Sequence, residues 1–160
     1  FITGRQSSLT TPRDPNGATP PVETATEFTA LCTRVVDGDT IVIEGGERVR
    51  YIGIDTPEMD RREPGAEAAT EANRELVEGR TVRLVLDVEH RDQYGRLLAY
   101  VYADDVFVNA ELVRRGLSQI VTYPPNVRHE AQFRGLQREA RQAGRGLWAH
   151  RPGDPDRQSP

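Results

Sequence analysis

The chain has 160 residues, a net charge of −4 from 21 basic and 25 acidic side chains, and a pI near 5.5. That length suits one domain with a proper core rather than two, and the charge excludes the broad basic face of a tight, non-specific polyanion binder. One cysteine, Cys32, excludes an internal disulfide, and no run approaches the roughly 20 apolar residues of a membrane span.

Residues 1–27 include Thr10-Thr11-Pro12-Arg13-Asp14-Pro15-Asn16-Gly17 and little that is large and apolar. They cannot bury enough surface to offset ordering, and they read as a disordered Thr/Pro-rich linker. Such linkers tether exported domains, so an extracellular or cell-surface location is the expectation. The N-terminus itself has neither a basic n-region nor an apolar h-region.

The expected domain runs over residues 28–150. Phe28 to Val36 and Thr40 to Glu44 are β-rich runs separated by Asp37-Gly38-Asp39, and Gly45-Gly46 marks a hairpin into a third strand, Arg48 to Ile54. Gly65 to Val77 has helical spacing, with Ala68, Ala69, Ala72 and Leu76 on one face and Gly79 suited to the C′ position. Thr81 to Val88 and Arg96 to Tyr102 alternate again and complete five strands, with Asp104-Asp105 as the next turn. Val108 to Arg115 reads as a short helix ended by Gly116, Leu117 to Val121 as an apolar run, and Arg128 to Ala143 as a helix stopped by Gly144. Residues 151–160 read as a flexible tail. The order predicts an α+β, mainly β, five-stranded OB-fold barrel with one inserted helix and C-terminal helices, expected to be monomeric.

Three clusters carry chemistry. Asp37-Gly38-Asp39-Thr40 is a turn that, alone, needs no function. The strand leaving it pairs through the Gly45-Gly46 hairpin with the strand ending at Asp55, which brings Asp39 and Asp55 together. Two carboxylates, a backbone carbonyl and waters make a hard-cation site suited to calcium, and without a cation the acids would repel. Arg50 to Glu58 reads Arg-Tyr-Ile-Gly-Ile-Asp-Thr-Pro-Glu, ended by Pro57, so a guanidinium and two carboxylates leave one strand end. Glu58 is placed to orient or deprotonate a water; the competing reading makes Thr56 and a nearby Glu a helix-capping pair. In the third cluster, Asp92-Gln93-Tyr94-Gly95-Arg96, Arg96 begins a strand next to that of Arg50, so two guanidiniums could face one phosphate. All 21 basic residues are Arg, so each phosphate contact would be a planar fork.

Taken together, Val36-Asp-Gly-Asp-Thr, Arg50 through Glu58, Tyr94-Gly-Arg96, Leu98-Ala-Tyr-Val-Tyr-Ala-Asp and Asn109-Ala-Glu-Leu-Val-Arg-Arg-Gly-Leu resemble the staphylococcal nuclease (thermonuclease) family over about residues 29–148. The resemblance implies a calcium-dependent endonuclease hydrolysing phosphodiester bonds of DNA and RNA and leaving 3′-phosphate ends. It implies Asp39, Asp55 and the Thr56 carbonyl as Ca2+ ligands, with Asp37 supporting them from behind. Arg50 and Arg96 would stabilise the phosphorane and Glu58 act on the water, while Tyr94 and Tyr123 contact the nucleotide. Departures are Gln93 for a usual lysine, Val121 for one of a C-terminal tyrosine pair, and a shortened loop from Met59 to Pro64.

Two other readings stay open: a non-catalytic OB module that binds nucleic acid or a protein partner, and a small adhesion domain on a tether. His90, His129 and His150 lack ligand spacing and read as surface or packing residues. Trp148 is expected to dock the last helix on the barrel, and at least one of Tyr100 and Tyr102 to enter the core.

Overall fold

A computed structural model describes residues 26–149. All but the last two residues of the expected linker, the whole expected tail and His150 lie outside the described residues. The strands are β1 (Glu27–Asp37), β2 (Thr40–Ile43), β3 (Arg48–Tyr51), β4 (Ile54–Asp55), β5 (Thr81–Val85), β6 (Leu97–Ala103), β7 (Val106–Phe107) and β8 (Gln119–Ile120). The helices are α1 (Ala66–Val77), α2 (Val108–Arg114) and α3 (Glu130–Ala143), followed by a 3-10 turn, Gly146–Trp148.

β1 is long enough to serve two neighbours. Its first half pairs antiparallel with β5, Phe28 opposite Leu84, and its second half with β2, Val35 opposite Ile41. Register shifts between Cys32 and Arg34 and between Val35 and Asp37 mark bulges, which bend the strand around the barrel. β2 pairs with β3 and β5 with β6, both antiparallel, and β3 lies parallel to β6 with Arg50 opposite Leu98. That last pairing closes β3-β2-β1-β5-β6 into a five-stranded barrel, the mainly β α+β OB-fold expected from the order of elements.

The core follows the alternation. Val49 and Tyr51 point inward from β3 with Ile41, Leu84 and Val101, each almost fully buried, while Tyr100 on the other face of β6 is buried against Phe107, His129 and Phe133. Each such side chain stabilises the barrel by roughly 1.5–3 kcal/mol through its removal from water. Cys32 is one of them, fully buried on β1, and burial pushes its thiol up to about 11. At pH 8 a thiol reagent should therefore label Cys32 about a thousandfold more slowly in the native protein than in guanidinium-unfolded chain. Labelling at equal rates would place the thiol outside the core.

Several expected boundaries shift for identifiable reasons. The run from Arg48 to Ile54 is two strands, broken at Ile52 and Gly53, where φ is +83° and an added Cβ would lie 2.6 Å from the Phe133 ring. On α1 the buried positions are Ala66, Ala69, Thr70, Ala72, Asn73 and Val77, with Ala68 exposed, so the face is rotated from the one Ala spacing suggested. β4, β7 and β8 are two residues each, too short for alternation to reveal. Gly79 does stand just past the C-cap of α1 with φ +78°, and Gly144 is the left-handed C-cap of α3. Tyr100 is the core tyrosine and Tyr102 is half-buried. His129 has a packing role, its ring edge-on to Tyr100 at 4.5 Å and Phe107 at 4.9 Å. Trp148 lies against α3, with the Arg141 guanidinium 4.6 Å over its ring, while Leu147 N donates to Gly116 O at 2.8 Å.

Candidate active site

The turn between β1 and β2 is clamped from below. Tyr51 Oη donates to Asn73 Oδ1 at 2.6 Å, and Asn73 Nδ2 donates to the Asp37 carbonyl at 2.9 Å, so α1 and β3 together hold Asp37. Gly38 is required because a Cβ there would come within 2.7 Å of both the Ala69 Cβ and Thr56 Oγ1. The turn can thus press close against α1 and the β4 end. Asp37 Oδ1 accepts from Asp39 N at 3.1 Å, which turns the Asp39 carboxylate toward the neighbouring strand end.

Asp39 is buried, and its Oδ2 accepts from both Thr56 N at 2.9 Å and Thr56 Oγ1 at 3.1 Å. Thr56 is thereby committed to Asp39, and no helix begins behind it until Ala66, which disposes of the capping reading. Arg50 sits between the acids: Nη1 is 3.4 Å from Asp39 Oδ2 and Nη2 is 3.3 Å from Asp55 Oδ1. The same Nη1 donates to the carbonyls of Tyr51 at 2.9 Å and Ile54 at 2.8 Å, so the side chain, only 15% exposed, also holds the β3–β4 turn. Asp39 and Asp55 meet at this guanidinium, as the hairpin register required.

The electrostatics of the cluster are short of positive charge. Burial pushes the Asp37 carboxyl up to about 6, with the Asp39 charge adding to the rise. Burial likewise raises Asp55, and the Asp39 and Glu63 charges outweigh part of what Arg50 offers. A hard cation fits this set: the donors are all oxygens, and burial together with the neighbouring acid charges raises two of the carboxyls, a cost that a bound cation would offset. Asp39 and Asp55 would hold it with the Thr56 carbonyl, and waters would complete the shell. Among the described residues no group of three or more carboxylates, imidazoles or thiols stands together as a ready-made metal cage.

Beyond Arg50 opens a cavity of about 340 Å3, and four of the sequence-predicted residues line it: Arg50, Arg96, Tyr94 and Tyr123. Arg96 reaches it from the turn just before β6, the strand adjacent to β3 by the closing pair, with Nε 2.7 Å from Asp92 Oδ2 and its guanidinium 5.4 Å from the Tyr94 ring centre. Asp92 Oδ1 accepts from Tyr94 N and Arg96 N, which fixes the turn that presents both side chains. Tyr94 and Tyr123 are 73% and 70% exposed, unusual for large rings with no packing role.

Glu58 is not brought to this cavity. It lies on the turn after Pro57, 47% exposed, with Oε2 3.6 Å from Arg61 Nε. Sequence reasoning also missed four residues: Asn73 under the acid turn, Glu63 near Asp55, and Glu89 and Asn126 in the cavity lining. None of the four carries a local pattern that marks it, and Asn73 and Asn126 reach their partners from distant parts of the chain.

Comparison with known proteins adds an independent line. A family model described as Staphylococcal nuclease homologue matches residues 48–150, a stretch containing every candidate site residue except Asp37 and Asp39. The chain is 38% identical over 125 residues to a thermonuclease of Staphylococcus intermedius, covering 74% of each chain. It is 40% identical over 125 residues to Endonuclease YncB of Bacillus subtilis (strain 168), covering 72% of this chain and 59% of that one. A thermonuclease of Staphylococcus hyicus is 31% identical over 133 residues, with 79% of each chain covered.

Proposed function

The chain belongs to the staphylococcal nuclease homologue family, and from that premise we propose that it is a calcium-dependent endonuclease, hydrolysing phosphodiester bonds of DNA and RNA and leaving 3′-phosphate ends. The observation that carries this reading is the convergence of Arg50 and Arg96 on one cavity, with Arg50 anchored to the acids Asp39 and Asp55. Hydrolysis at phosphorus builds negative charge on the non-bridging oxygens. Two rigid guanidinium forks, already oriented by Asp92 and by the β3–β4 turn, offset that charge with little reorganisation. Calcium, when bound, supplies further positive charge beside the phosphate and a polarised water.

Glu58 is assigned to orient and deprotonate the attacking water. It must leave Arg61 to do so, and a long, solvent-exposed ion pair opposes that movement by about 1 kcal/mol or less. Tyr94 and Tyr123 are assigned to the nucleotide, as platforms on the cavity rim. With no lysines and a net acidic composition, binding to the rest of the strand should be weak, and its salt dependence shallow because few phosphates are neutralised.

The direct test is digestion of single- and double-stranded DNA and of RNA with calcium, and again after chelation. The expected result is cleavage with calcium and at least a hundredfold slower cleavage without it, with 3′-phosphate product ends. Equal rates after chelation would remove the ion from the proposal, and no cleavage at any calcium level would leave only a binding module.

A further inference from the structure

The phosphate chemistry uses Arg50 and Arg96 and leaves other residues that line the same cavity unexplained, among them Glu89, Gln93 and Asn126. Asn126 is buried and spends its whole amide on Glu89, its Nδ2 donating to Glu89 O at 2.9 Å and its Oδ1 accepting from Glu89 N at 2.8 Å. Asn126 N also donates to Tyr123 O at 3.1 Å, so one residue fixes both the Glu89 backbone and the loop that presents the Tyr123 ring. The Glu89 carboxylate itself takes part in no hydrogen bond or ion pair among the described residues. The cavity's other acid, Asp92, is by contrast consumed by Arg96 and the Tyr94 turn.

A carboxylate repels phosphate, so the part of a polynucleotide that lies against Glu89 must offer hydrogen-bond donors. Guanine offers two side by side, N1–H and the N2 amino group, matching the two oxygens of a carboxylate. Adenine and cytosine place an acceptor beside their amino group, and thymine and uracil flank a single N–H with carbonyls. This edge is free only in an unpaired base, and the exposed Tyr94 and Tyr123 rings supply planes on which such a base can stack. A cavity of about 340 Å3 accommodates a single nucleotide.

We propose that Glu89 is a specificity-determining residue that receives the Watson–Crick edge of an unpaired guanine, while the attached phosphate lies against Arg50 and Arg96. The inference deepens the nuclease reading of the same cleft.

The test is calorimetric titration of the 3′-monophosphates of deoxyguanosine, deoxyadenosine, deoxycytidine and thymidine into wild-type protein and Glu89→Gln, with calcium present. Glu89 is exposed, so the variant should keep its fold, and circular dichroism checks that. The wild type should bind the guanine nucleotide about tenfold or more tighter than the others, and Glu89→Gln should lose that preference. Cleavage ends mapped on a mixed-sequence single strand should show the same bias and the same loss. Equal affinity of the wild type for all four nucleotides, or a preference that survives Glu89→Gln, overturns the proposal. A uniform weakening of all four by the substitution also overturns it, since that assigns the carboxylate to a sugar hydroxyl. Guanine-selective binding without cleavage would overturn the nuclease reading and leave this one standing, and cleavage without base preference would do the reverse.

Discussion

Arg50→Ala should lower the turnover of DNA by about three orders of magnitude or more, the scale on which a single arginine at a transferring phosphoryl group acts. The loss has two sources that can be separated. One is the fork facing the cavity. The other is the tie that Nη1 makes to the Tyr51 and Ile54 carbonyls, with Asp39 and Asp55 on either side. Arg50→Lys keeps a positive charge but cannot span two carbonyls and two carboxylates at once, so it should recover less than a tenth of the wild-type rate. Rates per folded molecule, with a urea midpoint measured alongside, distinguish chemistry from a loosened turn. A folded Arg50→Ala protein working within tenfold of the wild type would take the transition-state role away from this residue.

The second large effect concerns stability. Asn109 is fully buried at the start of α2, where Oδ1 accepts from Val101 N at 2.8 Å and Nδ2 donates to Ile52 O at 2.9 Å. It therefore joins β6 to the break between β3 and β4. Asn109→Ala would strand a buried N–H and a buried carbonyl, each costing about 1–3 kcal/mol, and would open a small void besides. A loss of about 3–5 kcal/mol is a large share of the 5–15 kcal/mol typical of a domain this size. Urea unfolding should show a markedly lower midpoint with the slope unchanged, whereas a shift below about 1 kcal/mol would mean that water or a backbone rearrangement replaces both bonds.

These two residues also show what could be read from the chain in advance and what could not. Arg50 sits in a run whose alternation, terminal proline and flanking acids all point to a strand end, and the Gly45-Gly46 hairpin fixes the register that brings Asp39 and Asp55 to it. Those signals are local, and the barrel order followed from them. Asn109 appears in the sequence as an ordinary helix-start polar residue. Its partners at Val101 and Ile52 are set by packing of α2 on the closed barrel, which no short window contains. Glu89 and Asn126 are legible for neither reason, being loop residues joined across the cavity rim. Glu58 is a mixed case: its spacing from Asp55 suggests a shared site, and in the structure its carboxylate lies on the turn after Pro57, 3.6 Å from Arg61 Nε. The helical face of α1 was misassigned because alanine counts as apolar wherever it stands, while the buried Thr70 and Asn73 do not.

The parallel lane between β3 and β6 has one more implication, and it concerns synthesis. Arg50 leaves the ribosome long before Leu98, the residue it will lie beside, so a partly made chain owns one guanidinium of the pair and no cleft to hold it. Contacts between segments so far apart in the chain form late, after the intervening loop has been closed. The cleft lined by Arg50 and Arg96 therefore does not exist on the incomplete chain, and is assembled only when β6 locks against β3.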